Sequence, residues 1–521
     1  MPLVELQYIT CDTKERNLFE TNHVVVNQGA KIGLIGRNGS GKTTLLQAMT
    51  GERIPDAGSI VRHASVFLFP QLKPKDPARS GGEVSLAMVY DLLNQGAGVF
   101  LLDEPTTHLD EEQRTELADR LSRRAEAVLT VSHDRAFLEQ VCTEIWELEG
   151  GKLHVYPGSY REYEVEKDRQ ERHQEKEHEK YEAKRRQLEA AMEKKEERAR
   201  RADSTPASVS RSEAKITGAR PYFAKKQKKL HQGANALQSR IDQLEPVPKR
   251  RELPPIQMET DQSRRLKNRV LIRAVRAAGR IEGRTLWEPA DFTIRAGEKV
   301  AVTGRNGTGK TTLLQQIVEE GEGIDVSPAV IFGYFRQQLE QLELSRTLLE
   351  QVLDDAVHPE SLVRTVLARF GFSGIDVDKP LDVLSGGERV KTALATLLVS
   401  RANVLVLDEP TNFLDIAAME ALESLLQSYP GTVLFVTHDR RFRQAAATRT
   451  FTIEEGRLRI DQQDSIAPAA GEREAELMKV ENEITSVLSR LSLAPDEELE
   501  EDFQRLLQRK KQLQFQESEE E

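Results

Sequence analysis

The sequence predicts an α/β fold with two P-loop nucleotide-binding domains in tandem, joined by a long α-helical hairpin and followed by a short C-terminal helical extension. Three observations predict it. A glycine-rich motif and three later motifs occur twice in the same order, as GRNGSGKTT from Gly36 and GRNGTGKTT from Gly304. A highly charged stretch without glycine or proline, Glu162 to Arg201, separates the two sets. Near the C-terminus, apolar residues recur at helical spacing from Glu472 to Gln516.

Length and composition set the domain organisation. A chain of 521 residues is too long for a single hydrophobic core. We predict a first nucleotide-binding domain at 1–160, a linker hairpin at 161–250, a second nucleotide-binding domain at 251–462 and a helical extension at 463–521. No stretch approaches the ~20 apolar residues that span a bilayer, and the N-terminus lacks a signal segment. A cytoplasmic protein without membrane contact is therefore expected, with Cys11 and Cys142 as packing residues.

Each P-loop motif predicts a phosphate-binding loop that opens a helix. Its glycines let backbone N–H groups converge on the phosphates, its lysine contacts the β and γ phosphates, and the following threonine ligates magnesium. ATP and Mg²⁺ are thus the expected cofactors. The predicted ATP-binding residues are Gly36, Asn38, Gly39, Ser40, Gly41, Lys42, Thr43 and Thr44 in the first loop, and Gly304, Asn306, Gly307, Thr308, Gly309, Lys310, Thr311 and Thr312 in the second.

Two apolar runs, Val99 to Leu102 and Val404 to Leu407, predict buried parallel strands that each end in two acidic residues. The first acid would join the magnesium shell, and the second would face the attacking water. A later histidine fits a group that orients this water, and a glutamine after an earlier strand fits a magnesium-sensing residue. The predicted magnesium ligands are Thr43, Gln71, Asp103, Thr311, Gln337 and Asp408, and the predicted catalytic residues are Glu104, Glu409, His133 and His438.

These motifs resemble those of the ATP-binding-cassette ATPases over both halves of the chain. In that superfamily two cassettes dock head to tail, so the resemblance implies that each ATP lies between one P-loop and the SGGE signature of the other half. It also implies a monomer with an intramolecular cassette sandwich. The signature residues are Ser385, Gly386, Gly387 and Glu388, opposite the first P-loop, and Ser80, Gly81, Gly82 and Glu83, opposite the second.

The two halves differ in length and lack a common feature of cassettes. The P-loop recurs 268 positions later, from Gly36 to Gly304, but the signature serine recurs 305 positions later, from Ser80 to Ser385. The first half thus lacks 37 residues where a cassette carries its helical subdomain, which argues against a transport role. Neither half offers the usual aromatic residue for the adenine, with only Tyr8 nearby. Weak discrimination between ATP and GTP is therefore expected.

The linker is predicted to hold one helix over Glu162 to Arg201, a loop over Ala207 to Arg220 and a second helix from Pro221 to about Leu244. From Arg198 to Arg240 it has eleven basic and two acidic residues, a charge of +9 in a chain of net charge −11. Such an arm would suit a polyanion, because phosphate contacts release counterions. The alternative is a solvated helical spacer. Similarly, Tyr222 and Phe223 either stack on unpaired bases or pack the two helices together.

Two fused cassettes, this charged hairpin, the EPTTHLD and EPTNFLD segments and the linker start at Gly158 to Tyr160 resemble the ABC-F family, and within it the antibiotic-resistance group of the Vga, Vml and Msr kind. The resemblance implies ribosome protection, with the hairpin reaching from the E site of the 70S ribosome towards the peptidyl-transferase centre, near rRNA and P-site tRNA. A housekeeping translation factor and a DNA-binding cassette ATPase are the alternatives. The stretch Glu472 to Gln516, with Pro495 at its bend, is interpreted as a small packing module.

Overall fold

The computed structural model describes residues 1–12, 17–70, 81–96, 98–107, 109–203, 219–247, 258, 269–281, 283–336, 345–372, 374–460, 480, 482–484, 487–488, 491 and 497–517. Within them the chain forms two compact units. One comprises Met1–Tyr160 and Leu253–Glu521, and the other comprises Arg161–Glu252. In the described part of the chain, no helix combines the length and the apolar character needed to cross a membrane.

The first cassette is built around a mixed sheet of ten described strands, in the order β3-β1-β2-β10-β9-β4-β8-β7-β6, with β5 paired to β1. The strands are β1 (Pro2–Asp12), β2 (Asn17–Glu20), β3 (Val24–Asn27), β4 (Lys31–Gly36), β5 (Ala57–Arg62), β6 (Val66–Phe69), β7 (Val99–Asp103), β8 (Ala127–Val131), β9 (Glu144–Glu149) and β10 (Lys152–Pro157). The helices are Lys42–Thr50, Gly81–Leu93, Glu111–Ser122 and Arg135–Val141.

The second cassette repeats this core, although its described strands divide into a sheet of three and a sheet of six. The orders are β12-β11-β14 and β15-β16-β17-β13-β18-β19. The strands are β11 (Val270–Ile281), β12 (Arg284–Arg295), β13 (Lys299–Gly304), β14 (Ile324–Val326), β15 (Phe332–Phe335), β16 (Val404–Asp408), β17 (Thr432–Val436), β18 (Arg449–Glu454) and β19 (Arg457–Ile460). The helices are Lys310–Val318, Leu348–Asp354, Glu360–Arg369, Gly386–Val399, Ile416–Ser428 and Arg440–Ala446, with 3-10 turns at Gly374–Asp378 and Leu381–Val383.

The parallel strands of each core bring the motifs to one edge. In the first cassette β4 pairs with β8, and β8 pairs with β7, all in parallel; β13, β17 and β16 repeat the pattern. The strands predicted over Val99–Leu102 and Val404–Leu407 are present as Val99–Asp103 and Val404–Asp408, and they are almost wholly buried, as continuous apolar runs require. Since ligands bind at the carboxyl ends of parallel strands, the P-loop, the acidic pair and the histidine meet there.

The helical subdomain differs between the cassettes. In the second, the helices Leu348–Asp354 and Glu360–Arg369 lie between β15 and the signature helix Gly386–Val399. Their buried side chains, such as Leu348, Val363 and Leu367, join the core of that half. In the first cassette β6 ends at Phe69 and the signature helix already begins at Gly81, twelve positions on. The second cassette has 51 positions in the corresponding interval, from Phe335 to Gly386, and residues 71–80 of the first lie outside the described residues.

The second unit contains two antiparallel helices, Tyr160–Asp203 and Ala219–Asp242. His178 Nδ1 lies 2.8 Å from the Val247 carbonyl oxygen, and Lys195 Nζ donates to the Gly233 carbonyl at 3.3 Å. The first helix is longer at both ends than predicted. The predicted loop boundary is wrong at Ala219 and Arg220, which are helical, because a proline two positions later is tolerated in the first turn of a helix.

The C-terminal residues are described in part. The helix Glu497–Glu517 is present, and helical residues around Val480 and Ile484 precede it, with both of these side chains buried. This burial supports the interpretation as a packing module. The predicted bend at Pro495 lies outside the described residues.

Candidate nucleotide-binding sites

Each P-loop connects a central strand to a helix through a left-handed glycine. Gly41, with φ near +100°, directly precedes the helix Lys42–Thr50. A Cβ atom at Gly41 would lie 2.7 Å from the ring of Phe19, so both the backbone angle and the space require glycine. Gly309 has the same backbone angle before the helix Lys310–Val318. Each loop therefore leads directly into the N-terminus of a helix, which is where anions bind.

The P-loop lysines turn back over their own loops. Lys42 Nζ donates to the carbonyl oxygens of Gly36 and Arg37 at 2.8 and 3.0 Å. Lys310 Nζ donates to the corresponding carbonyls of Gly304 and Arg305 at 2.9 and 3.0 Å. Burial lowers the pKa of both lysines, although nearby carboxylates oppose this effect. Each ammonium group is therefore held by neutral carbonyl groups of its own loop, where it can form an ion pair with a bound anion.

The predicted magnesium ligands that the structure describes lie in contact. Thr43 Oγ1 donates to Asp103 Oδ2 at 2.8 Å, and Thr311 makes the equivalent hydrogen bond to Asp408. Hydroxyl and carboxylate oxygens suit Mg²⁺, which is bound through few protein oxygens together with waters and phosphates. The residues present thus fit this ion. Gln71 and Gln337 lie outside the described residues.

The predicted catalytic glutamates and histidines form two matching pairs. His133 Nε2 lies 3.3 Å from Glu104 Oε1, and His438 Nε2 lies 3.3 Å from Glu409 Oε1. These contacts lack hydrogen-bond geometry, so the Oε1 atom of each glutamate remains without a hydrogen-bond partner among the described residues. Both glutamates have positive φ, 51° and 50°. Each carboxylate accepts a hydrogen bond from the backbone of its histidine, His133 or His438, and its residue holds a strained backbone angle.

Burial dominates the electrostatics of these pairs. It raises the pKa of Glu104 to about 8 against the opposing effect of Lys42, and that of Glu409 to about 7 against Arg114 and Lys310. Burial, reinforced by the P-loop lysines, lowers the pKa of His133 and His438 to about 3. The histidines are therefore neutral at physiological pH. A carboxyl group whose pKa lies near the working pH is suited to accept a proton from water.

Two cavities lie between the cassettes, each combining a P-loop with the opposite signature. The first, of about 800 Å³, combines the first P-loop with the signature of the second cassette. The predicted site residues that line it are Asn38, Gly39, Gly41, Lys42, Thr43, Thr44, Asp103, Glu104, His133, Ser385, Gly386 and Gly387. The second, of about 530 Å³, is lined by Gly82, Asn306, Gly307, Gly309, Lys310, Thr311, Thr312, Asp408, Glu409 and His438.

The signatures begin helices at these cavities. Ser385 caps the helix Gly386–Val399 together with Glu388, whose Oε2 accepts from the Ser385 backbone N–H at 2.9 Å. A Cβ atom at Gly387 would meet Asn38 Nδ2 of the opposite cassette and would lie 2.9 Å from the Phe413 carbonyl oxygen, so the backbone there favours glycine. In the other half Gly81 begins the helix Gly81–Leu93. Ser80 and the side chain of Glu83 lie outside the description.

Two predicted P-loop hydroxyl groups do not face the cavities. Thr308 Oγ1 donates to the Arg305 carbonyl at 2.9 Å. Ser40 Oγ is buried without a hydrogen-bond partner in the described structure. These side chains stabilise or fill the loop itself.

Sequence reasoning assigned no role to the aspartates that end the EPTTHLD and EPTNFLD motifs. Asp415 Oδ2 accepts from the backbone N–H of Asn38, across the cassette interface, at 3.1 Å and from Lys391 Nζ at 2.7 Å. Asp110 Oδ2 reciprocally accepts from the backbone N–H of Asn306 at 3.3 Å. The two hydrogen-bonded residues are 377 positions apart in the first pair and 196 in the second. The sequence therefore contains one signal of a role, namely that an aspartate stands at the same position in both motifs.

The walls beside the P-loops are aliphatic. Leu18 lines the first cavity, and Ile281 and Leu286 line the second. Tyr8 is 69% exposed and is not among the described residues that line either cavity. Apolar contact with a purine is available at both positions. The one phenylalanine, tyrosine or tryptophan among the described lining residues, Phe413 in the first cavity, belongs to the EPTNFLD motif of the opposite cassette.

Two composite nucleotide cavities within one chain define a tandem ATP-binding-cassette protein. A family model described as ABC transporter matches residues 19–77 and 287–412, and a second with the same description matches 146–265. The ribosome protection protein VmlR of Bacillus subtilis is 32% identical, with 99% of each chain covered. The erythromycin resistance ATP-binding protein MsrA of Staphylococcus epidermidis is also 32% identical, over 81% of this chain and 91% of its own.

A solved structure shows the same fold. The archaeal ribosome recycling factor aABCE1, in complex with ribosomal stalk protein aP1, is 18% identical and matches with a TM-score of 0.57 over 87% of this chain and 89% of its own. The present chain belongs to the ABC-F family of ATP-binding-cassette ATPases and is similar to its antibiotic-resistance members.

Proposed function

We propose that this protein is an ATP-dependent ribosome-protection factor that acts in the cytoplasm and confers antibiotic resistance. The observation that carries the proposal is the similarity to VmlR, a ribosome protection protein, over 99% of both chains. This range includes the linker hairpin as well as the cassettes. The partner would be the 70S ribosome, which the hairpin would enter from the E site.

Within each cavity the roles follow from the contacts. Lys42 and Lys310 would exchange their loop carbonyls for the β and γ phosphates of ATP. The oxygens of Thr43 with Asp103, and of Thr311 with Asp408, would hold Mg²⁺, with Gln71 and Gln337 as further ligands. The bound ion would neutralise phosphate charge. The opposite signature helix would direct its N-terminus at the same phosphates.

Hydrolysis would depend on the two glutamates. Glu104 and Glu409 have free oxygens inside the cavities and pKa values near neutrality. Each would take the proton of the attacking water at Oε1, while neutral His133 or His438 orients the reacting groups. Closure of the cassettes needs ATP binding alone, so hydrolysis would release the factor from the ribosome and not power drug displacement.

The hairpin would carry the effect to the drug. Its basic residues would contact rRNA and P-site tRNA phosphates, with Lys228 and Lys229 exposed on the second helix. The residues that join the two helices, 204–218, lie outside the described residues. We propose that the segment Ala207 to Arg220 determines which antibiotic is displaced.

Ribosome sedimentation and drug susceptibility test the proposal. With saturating ATP, the Glu104→Gln, Glu409→Gln double variant should sediment with 70S ribosomes, and expression of the wild-type chain should raise resistance to a peptidyl-transferase inhibitor. Ribosome binding without any resistance would favour a housekeeping translation factor. Sedimentation free of ribosomes, combined with binding to DNA, would refute the ribosomal function.

The basic hairpin has its own test. Replacing Lys225, Lys226, Lys228 and Lys229 by alanine should weaken ribosome binding and reduce the slope of log affinity against log salt by about 0.7–0.9 per lost phosphate contact. A matched control replaces Arg169, Arg172, Lys180 and Arg186, which pair with acidic residues of their own helix. An equal slope in both variants would contradict a phosphate-binding role for the lysines.

A further inference from the structure

Arg114 contacts the histidine loops of both cassettes. It lies in the first turns of the helix Glu111–Ser122, four residues after Asp110. Its Nη1 donates to Asp134 Oδ2 at 3.0 Å, and Asp134 directly follows His133 in the first cassette. The same Nη1 donates to the carbonyl oxygen of His438, in the second cassette, at 3.2 Å. One guanidinium thus connects the two histidines that face the two cavities.

The position of Arg114 is shared by both sites. Among the described residues, Arg114 and Asn412 line the first and the second cavity alike. The Arg114 side chain is 14% exposed, and its buried Nε has no hydrogen-bond partner in the described structure. The guanidinium therefore keeps an unused donor in a largely water-excluded position, where a change in either cavity alters its interactions strongly.

Only the first of the two cassettes has an arginine at this position. Asp110 and Asp415 are equivalent, 305 positions apart, so the counterpart of Arg114 is Met419, which is also buried and lines the first cavity. A methionine cannot donate to a loop carbonyl. Another arginine that crosses this interface, Arg135, donates to Glu423 Oε1 at 3.1 Å and is not among the described residues that line either cavity.

We propose that Arg114 is a positioning residue that couples the two nucleotide cavities. The inference rests on the proposed binding of ATP in both. A nucleotide in the first cavity would fix His133 and Asp134, Asp134 would hold Arg114, and Arg114 would hold the His438 loop in place for the second nucleotide. Because the second site is then already ordered, the second ATP binds more tightly.

Stepwise ATP binding tests this coupling. The parent is the Glu104→Gln, Glu409→Gln variant, in which hydrolysis does not disturb the equilibrium, and the readout is the ratio of its two binding constants in equilibrium dialysis with Mg²⁺ and ATP. After statistical correction, the parent should bind the second ATP about fivefold or more tightly than the first. Adding Arg114→Met, the residue of the equivalent position, should bring the ratio to about one.

Two further variants separate coupling from simple stability. Arg135→Met also removes a cross-interface arginine, and it should leave the ratio as in the parent. Arg114→Lys keeps the positive charge but lacks the planar fork, and it should restore part of the coupling. An unchanged ratio in Arg114→Met, or an equal loss in Arg135→Met, would overturn the inference. A parent that binds two ATP molecules independently would also overturn it, whereas a parent that binds none would refute the proposed function.

Discussion

Replacing Asp415 by alanine should destabilise the second cassette more than the equivalent change at Asp110. Asp415 is 3% exposed and pairs with Lys391, which is 9% exposed, at 2.7 Å. Burial would raise the pKa of Asp415, but Lys391 and the N–H groups of Asn38 and Ala418 outweigh it and hold this pKa at about 2. At Asp110 the position of Lys391 is taken by Leu86. Only one of the two aspartates thus neutralises a buried ammonium group.

The magnitude follows from these contacts. Loss of the N-cap of the helix Ile416–Ser428 costs about 1 kcal/mol. The unpaired ammonium of Lys391 adds about 3–5 kcal/mol, so Asp415→Ala should lose about 4–6 kcal/mol in the free energy of unfolding. Asp110→Ala loses a cap and a longer hydrogen bond, about 1–2 kcal/mol. For a domain of this size the difference corresponds to roughly 10 °C in the melting temperature.

Differential scanning calorimetry of the two variants, compared with the wild type, measures the difference. Adding Lys391→Leu to Asp415→Ala removes the stranded charge and should recover part of the lost melting temperature, since the two side chains are coupled. Equal melting temperatures for Asp415→Ala and Asp110→Ala would refute the assigned role of Lys391. A double variant that loses the sum of both single losses would refute it as well.

Three other outcomes are expected. The Glu104→Gln, Glu409→Gln variant should bind ATP with unchanged affinity but hydrolyse it at least about a hundredfold more slowly; a phosphate-release assay that finds wild-type turnover would exclude these general bases. Because Leu18 and Ile281 provide aliphatic walls, competition between ATP and GTP should give a preference well under a hundredfold, and a larger one would contradict the expectation. Burial raises the pKa of Cys142 to about 12, so a thiol reagent at pH 8 should label this residue only after denaturation; rapid labelling of the folded protein would show that it is accessible.

The sequence predicted those parts of the fold that depend on local pattern. The runs Val99–Leu102 and Val404–Leu407 are apolar throughout, and this pattern alone predicts the burial of a central parallel strand. The P-loops were predictable because their glycines permit the left-handed backbone that such a loop needs before its helix. Helix ends were less so: the second hairpin helix begins at Ala219, because a proline at the third position is tolerated in the first turn of a helix.

The contacts between the cassettes could not be read from the sequence. The partners of Arg114 lie 20 and 324 residues away, and those of Asp415 lie 24 and 377 residues away. Nothing in the neighbourhood of an exposed-looking arginine in a helix signals a buried bridge. An alignment of the two halves would have singled out these residues, because it places Arg114 opposite a methionine, Met419, and Lys391 opposite a leucine, Leu86.

The left-handed backbone at Glu104 and Glu409 lowers the free energy of unfolding at the two positions on which the proposed hydrolysis depends. A non-glycine residue at φ near +50° costs about 1–3 kcal/mol in a functional site, and each buried carboxyl group adds the cost of an oxygen without a partner. Glycine at both positions would remove both penalties. A protein selected only for resistance to heat would therefore drift towards glycine here and lose both proposed general bases, so two glutamates at these positions trade local stability for the proposed hydrolysis.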